Sequence, residues 1–301
     1  VKIGLIDADG HNFPNLPLMK LSTCHKNQGD EVEFCTPLLE YDIVYISKVF
    51  DFTPDIETVI NAKKIIKGGT GYSSGNFEEL PPCDDLPINI EHIMPDYSLY
   101  PQYDEAYGFV TRGCPRNCPF CIVTQKEGKV SRKVADIDEF WAGQKTIKLL
   151  DPNLLACADR ERILQQLADI GAWVDFTQGL DIRLIDKEVI QLLNKIKIKV
   201  ARFAWDDPKE DLTAKFQFFR ENFRFKSHER KSVYVLTNFN SSLEEDLHRV
   251  YSLRDMGYDP YIMIYDKNSA SEKTRRLQRF VNNRRIFRTV KSFEEYDHQR
   301  S

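Results

Sequence analysis

The sequence lacks several things that would have decided its class at once. No run of eighteen apolar residues occurs in its 301 residues, so a membrane-spanning helix is excluded at that length. The first residues show no charged stretch followed by an apolar one, and with no export signal the chain is expected to be cytoplasmic. A formal charge of -4 gives no broad basic surface of the kind that nucleic acids or anionic membranes select. There is no internal repeat and no low-complexity segment. Cysteine is present but odd in number, seven in all, and unevenly spaced, which argues for thiols and metal ligands over a disulfide framework.

What is there is a regular alternation of elements. Residues 1–7, "VKIGLID", read as a buried parallel strand. Then follow a helix over "NLPLMKLSTCHKNQG", strands in "EVEFCTP" and "YDIVYISKVF", a helix over "PDIETVINAKK", a strand "IIKGG" and a Gly/Ser-rich turn "GTGYSSGN". This makes a small Rossmann-like open α/β domain over residues 1–77. Residues 78–102, rich in Pro, Asp and Tyr, read as a connector laid across the surface. Beyond them six strand patterns, "AYGFVTR", "KTIKLLD", "AWVDFTQ", "KVARFAW", "SVYVLTN" and "PYIMIYD", alternate with helical ones such as "DRERILQQLADIG", "DKEVIQLLNKIK" and "SLEEDLHRVYSLRDMG". Such alternation implies right-handed crossovers and a parallel sheet, and six units predict a partial (β/α)6 TIM-like barrel over residues 103–270, with chemistry at the C-terminal ends of its strands. Residues 271–301 are expected to form a basic C-terminal helix and tail.

The first barrel strand runs into "GCPRNCPFC", which sets Cys114, Cys118 and Cys121 four and three residues apart, with Gly113, Pro115 and Pro119 favouring an irregular loop. Three thiolates this close in sequence can converge on one metal centre. A structural zinc site would need a fourth ligand such as Cys83 or His92, neither at the short spacing of a zinc finger; an iron-sulfur cluster is the competing reading. A four-iron cluster held by three cysteines leaves one iron open to a reactant. Cys24, Cys35 and Cys83 lie apart without ligand-like spacing, so no auxiliary cluster is expected, and Cys157 reads as a core residue.

CxxxCxxC after the first strand of a six-unit barrel, with the aromatic Phe120 directly before the third cysteine, resembles the radical S-adenosylmethionine (SAM) enzymes. The resemblance implies a 4Fe-4S cluster on Cys114, Cys118 and Cys121 whose open iron chelates SAM. One electron then cleaves the sulfonium to methionine and a 5'-deoxyadenosyl radical that abstracts hydrogen from a substrate. It also implies an external one-electron reductant such as flavodoxin or ferredoxin. In place of the family's Gly-Gly-Glu-like segment stands "LLDPNLL", so Asp151 and Asn153 are the candidates for the SAM amino group. In "FTQGLDIRL", Gln178, Asp181 and Arg183 stand at the mouth, with Arg183 suited to the methionyl carboxylate. Asp206 in "FAWDD" is assigned to ribose and Asn238 in "LTNFN" to adenine or ribose, although Asp and Asn also serve as caps and turn residues.

The first domain resembles cobalamin-binding domains in "DGHNFP", "ISKV" and "KGGTG", with His11 at the place of the cobalt ligand. Pro14 replaces the expected glycine, and a helix between the second and third strands is missing; no bound cobalamin is predicted. A cobalamin-dependent methyltransferase and a methylthiotransferase-like RNA modifier stand as alternatives, as does a non-catalytic metal-binding protein. Residues 273–291 carry eight basic and no acidic side chains, Phe280 and Phe287 among them; this is read as the solvated face of a final helix, and a nucleic-acid role is not favoured.

Overall fold

A computed structural model describes residues 1–10, 13–72, 88–224 and 230–297, with the main chain alone at residue 230. It divides into two compact units: Val1–Phe109 with Gln125–Glu127 and Ala135–Ile147, and Val110–Thr124 with Gly128–Val134 and Lys148–Ser301.

The N-terminal unit is built on a four-stranded parallel sheet. Lys2–Asp7 lies between Glu31–Phe34 and Tyr41–Ser47, and Ala62–Gly68 forms the edge beyond Tyr41–Ser47. One helix, Leu16–Asn27, crosses from the first strand to the second. Its start is set by Asn15, whose side chain accepts from the Leu18 amide, and by Pro17 in the first turn. Leu18 and Leu21 of that helix bury against Ile3 and Leu5. The expected helix over residues 54–64 does not form. Residues 54–61 are irregular, and the edge strand begins at Ala62, paired with Tyr41, earlier than the expected strand at residue 65. The β-branched run Ile56, Thr58, Val59 and Ile60 behind Pro54 is poor helix material, and Ile56 and Ile60 instead cover Tyr41, Val44 and Ile46.

The described part of the expected connector is docked in place. Asp96 accepts from Ser22 and Lys26, Lys20 pairs with Glu91, and Tyr97 donates to the Phe140 carbonyl at 2.6 Å. Burial pushes the Tyr97 and Tyr100 hydroxyls up to about 12. Proline and tyrosine left no periodicity to read there, yet tyrosine supplies both apolar area and a polar tip.

The barrel strands follow in chain order: Ala106–Gly108, Thr146–Leu149, Trp173–Phe176, a strand in two pieces at Lys197–Ile198 and Val200–Ala204, Arg230–Thr237 and Asp259–Ile264. The first four make one sheet, which ends on Lys197–Ile198; Val200–Ala204 begins a second with the last two. All the registered pairs among them are parallel. Helices Arg160–Ile170, Lys187–Leu193, Thr213–Asn222 and Leu243–Asp255 return the chain between strands. On the last two strands, alternate residues Val233, Val235, Ile262 and Ile264 are buried, as period-two patterning requires. The expected single basic helix is two, Glu272–Asn282 and Arg284–Thr289, because Asn283 leaves helical geometry and caps the second through the Ile286 amide.

One buried charge joins these elements. Arg249, 1% exposed, donates to the carbonyls of Trp205, Asp206 and Leu236 and to Asp246 at 2.5–2.9 Å, tying two strand ends to the helix Leu243–Asp255. Arg249→Met strands three carbonyls and a carboxylate and is expected to lower unfolding free energy by about 3–5 kcal/mol in urea titration. A loss under about 1 kcal/mol would remove this assignment.

Candidate functional site

The cysteine loop is an excursion closed at its base. Thr111–Arg112 pairs antiparallel with Arg132–Lys133, the Val134 amide donates to the Val110 carbonyl, and the Cys114 amide donates to the Gly128 carbonyl. Gly113 with φ 88° and Asn117 with φ 48° take the left-handed conformations that turn the chain back on itself. All three cysteines are free and of intermediate exposure. The Cys121 thiol is pushed up by burial and by its neighbours Cys118, Cys114 and Asp206, against a lowering contact from the Val123 amide.

Asp151 holds the root of this loop. It is 4% exposed and accepts from the Val110 amide, the Thr111 amide and the Thr111 hydroxyl, the last at 2.7 Å. Burial pushes its carboxyl up to about 6, although all three donors favour the charged form. The side chain expected on the SAM amino group is thus turned to the protein's own main chain.

Two residues on, Asn153 is equally buried and faces the other way. Its amide nitrogen lies 3.6 Å from Cys114 Sγ and 3.3 Å from Asp181 Oδ2, and its carbonyl accepts from Ser131 Oγ. Its Oδ1 is buried with no hydrogen-bond partner. Asn153, Asp181 and Arg183 share the wall of a cavity of about 530 Å³ with Pro115 and Arg116 of the cysteine loop and with the buried Cys157. Arg183 spends one edge on Glu210, with Nε to Oε1 at 2.7 Å and Nη2 to Oε2 at 2.6 Å, while Nη1 donates to Asp181 at 3.0 Å. Glu210 was not found from the sequence: it stands 27 residues from its partner in "DDPKED", where nothing separates it from the neighbouring acids.

The other sequence candidates divide. Asp206 accepts from the Leu236 amide; burial pushes its carboxyl up, opposed by Arg249, Arg183 and Arg116, so it stands among the site's charges. Gln178 is exposed. Asn238 adopts φ 61° and donates its amide to the Asp266 carbonyl and Ser269, the turn role that competes with ligand binding for such residues. Phe120 meets Phe239 edge-on at 5.5 Å, and Phe239 meets Tyr265 at 4.8 Å, an aromatic series of which the sequence had marked only the first member. His11 and Cys83 lie outside the described residues.

Among the described residues no three His, Cys, Asp or Glu side chains are grouped so as to hold a metal ion. Cysteine thiolates are the donors that an iron-sulfur cluster takes, each binding a different iron. An unpaired acceptor and an arginine in the adjoining cavity match the ammonium and carboxylate of an amino acid.

No family model matches the chain, and no curated protein matches it in sequence. Among solved structures it superposes on the radical SAM methyltransferase TsrM from Kitasatospora setae, determined with cobalamin and a 4Fe-4S cluster bound. The TM-score is 0.60 at 12% identity, over 87% of this chain and 74% of that one. SuiB from Streptococcus suis bound to S-adenosylmethionine aligns at TM-score 0.41 and 13% identity over 61% and 45%; SuiB bound to the precursor peptide SuiA aligns at 0.43 and 14% over 61% and 46%. The TsrM likeness shows the fold: a partial β/α barrel preceded by a small open α/β domain.

The elevated Asp151 carboxyl has a measurable consequence. The folded chain keeps its proton up to about 6, while the unfolded chain releases it near 3.8, so this group's contribution to stability is full below 3.8 and lost as pH rises through 6. The unfolding free energy of wild type minus that of Asp151→Asn should fall by about 2–3 kcal/mol between about pH 4 and pH 7. A difference independent of pH would show that the carboxyl titrates normally.

Proposed function

We propose that the chain is a radical SAM enzyme in which Cys114, Cys118 and Cys121 hold a 4Fe-4S cluster and the cavity beside them takes SAM. The observation that carries this reading is one loop bearing three free, half-buried cysteines whose flanking Pro115 and Arg116 share a cavity wall with Asn153, Asp181 and Arg183. When bound, such a cluster supplies the single electron that cleaves the SAM sulfonium, the step that opens hydrogen abstraction from a substrate. The chain's residues bind and orient. Asn153 Oδ1 accepts from the methionyl ammonium, and its amide N–H at Cys114 Sγ tunes the cluster's potential. Arg183 faces the methionyl carboxylate, and Asp206 serves the ribose. Asp151 holds the cysteine loop, and Asn238 holds a turn. An external reductant such as flavodoxin or ferredoxin supplies the electron.

A second reading, a cobalamin-dependent methyltransferase, is favoured by the likeness to TsrM, which spans too much of this chain to omit the N-terminal unit. The described loops of that unit speak against bound cobalamin. A Cβ at Gly69 would stand 2.3 Å from the Lys48 carbonyl oxygen, and one at Gly71 would stand 2.6 Å from that of Phe50, so the Lys48–Phe50 segment packs directly on these two glycines, while Gly68 faces open space. Asp9 accepts from the Val49 and Phe50 amides and the Thr53 hydroxyl. The basic C-terminal stretch is read as a solvated face, a reading supported by the pairing of Arg284 and Arg288 with Asp259 and by the burial of Phe280 and Phe287.

Anaerobically reconstituted protein should carry about four irons and four sulfides per chain. On reduction with SAM present it should release 5'-deoxyadenosine, lost in Cys114→Ala, Cys118→Ala and Cys121→Ala. Stoichiometric zinc in a colourless protein would sink the proposal, and a cluster that leaves SAM intact would leave only the metal-binding alternative. Expression with hydroxocobalamin should leave no cobalt after gel filtration; near-stoichiometric cobalt would select the methyltransferase.

A further inference from the structure

Arg183 carries five N–H donors, and the structure accounts for three of them. Glu210 takes Nε and Nη2 as a parallel pair, and Asp181 takes one proton of Nη1, which leaves one N–H on each terminal nitrogen for a ligand in the cavity that Arg183 lines. The main chain of Glu210 is itself held: its carbonyl oxygen accepts from Nε1 of Trp205, a residue only 1% exposed, at 2.7 Å, and its amide donates to the Asp207 carbonyl. The Glu210 side chain projects from this anchored point. The same carboxylate lies 3.5 Å from Nη2 of Arg116, between Cys114 and Cys118. Its acidity is raised by these neighbours, the Arg183 hydrogen bond first.

We propose that Glu210 is the positioning residue of the site: it holds the Arg183 guanidinium with its two remaining terminal N–H groups open to the methionyl carboxylate, and through Arg116 it ties that clamp to the cysteine loop. The inference rests on the SAM reading of the cavity and assigns a role to a residue outside the ligand's own contacts. An arginine on a flexible stem loses rotamer freedom when it grips a ligand, and a carboxylate that has already gripped its other edge removes that cost beforehand. A fork held this way recognises a carboxylate and is indifferent to the adenosine end of the ligand.

The test measures equilibrium binding of SAM and of decarboxylated SAM, which lacks only the methionyl carboxylate, to reconstituted holoprotein as wild type, Glu210→Gln, Arg183→Gln and the double variant. Iron content serves as the check on folding. Glu210→Gln should weaken SAM about tenfold or more and shift the decarboxylated analogue less than about twofold, and the double variant should bind SAM no more weakly than Arg183→Gln alone. Glu210→Asp, which keeps the charge on a shorter arm, should recover part of the loss and replaces the Gln variant if that one fails to take up iron. Unchanged or tighter SAM binding, equal weakening of both ligands, or losses that multiply in the double variant would each overturn the role. If wild type binds neither ligand, the SAM reading itself falls and takes the role with it; if wild type binds SAM, only the role of Glu210 is at stake.

Discussion

A carboxylate buried between two strand ends governs the rest of this site. Asp151 leaves water at a cost of several kcal/mol, offset only because three donors meet it: two amides that open the cysteine loop and the hydroxyl between them. Those amides sit where the first barrel strand stops pairing regularly, and without an acceptor they would be buried and unmet. Proline follows, and then Asn153 points into the cavity, so three consecutive residues serve two purposes. One side chain secures the loop that carries the thiols, and the other takes its place beside Cys114.

The same division recurs around the strand ends. Polar side chains there separate into those that bind the protein to itself and those with capacity left over. Arg249 and Asn238 are of the first kind, with donors directed at main-chain carbonyls and also at Asp246 for Arg249 and at a serine for Asn238. Asn153 and Arg183 are of the second, one with a vacant acceptor and the other with unassigned donors. Residue type does not distinguish the two kinds; where the hydrogen bonds point does.

The direction of those bonds explains how far the sequence could be read. The six barrel strands, their returning helices and the cysteine triad were legible because period, turn chemistry and short spacing are all local signals. The competing roles of Asp151 and Asn238 were not, since "LDPN" and "LTNFN" look the same whether the polar group faces a ligand or a neighbouring strand. Glu210 was invisible because its meaning lies in a contact made across 27 residues. The helix misread at residues 54–64 failed for another reason: apolar spacing fitted a helix, but β-branched side chains and the pairing of Ala62 with Tyr41 outweighed it.

The N-terminal unit shows how a motif can keep its residue types while its geometry changes use. Glycine in "KGGTG" answers a need for close approach, and a glycine serves equally whether the approaching group is a ligand or the protein's own chain. Here the Lys48–Phe50 segment makes the approach: Gly69 takes φ 96°, and the Gly71 amide donates to the Lys48 carbonyl at 2.8 Å. Lys48 is itself buried, anchored by Asp55 and the Thr53 carbonyl, with its ammonium over the Tyr72 ring, so the segment is fastened on both sides. Admitting a nucleotide tail beside Gly69 would require breaking these contacts together with those of Asp9 to Val49, Phe50 and Thr53. The loops share the wording of a cofactor site, and at Gly69 and Gly71 their glycines receive the protein's own chain.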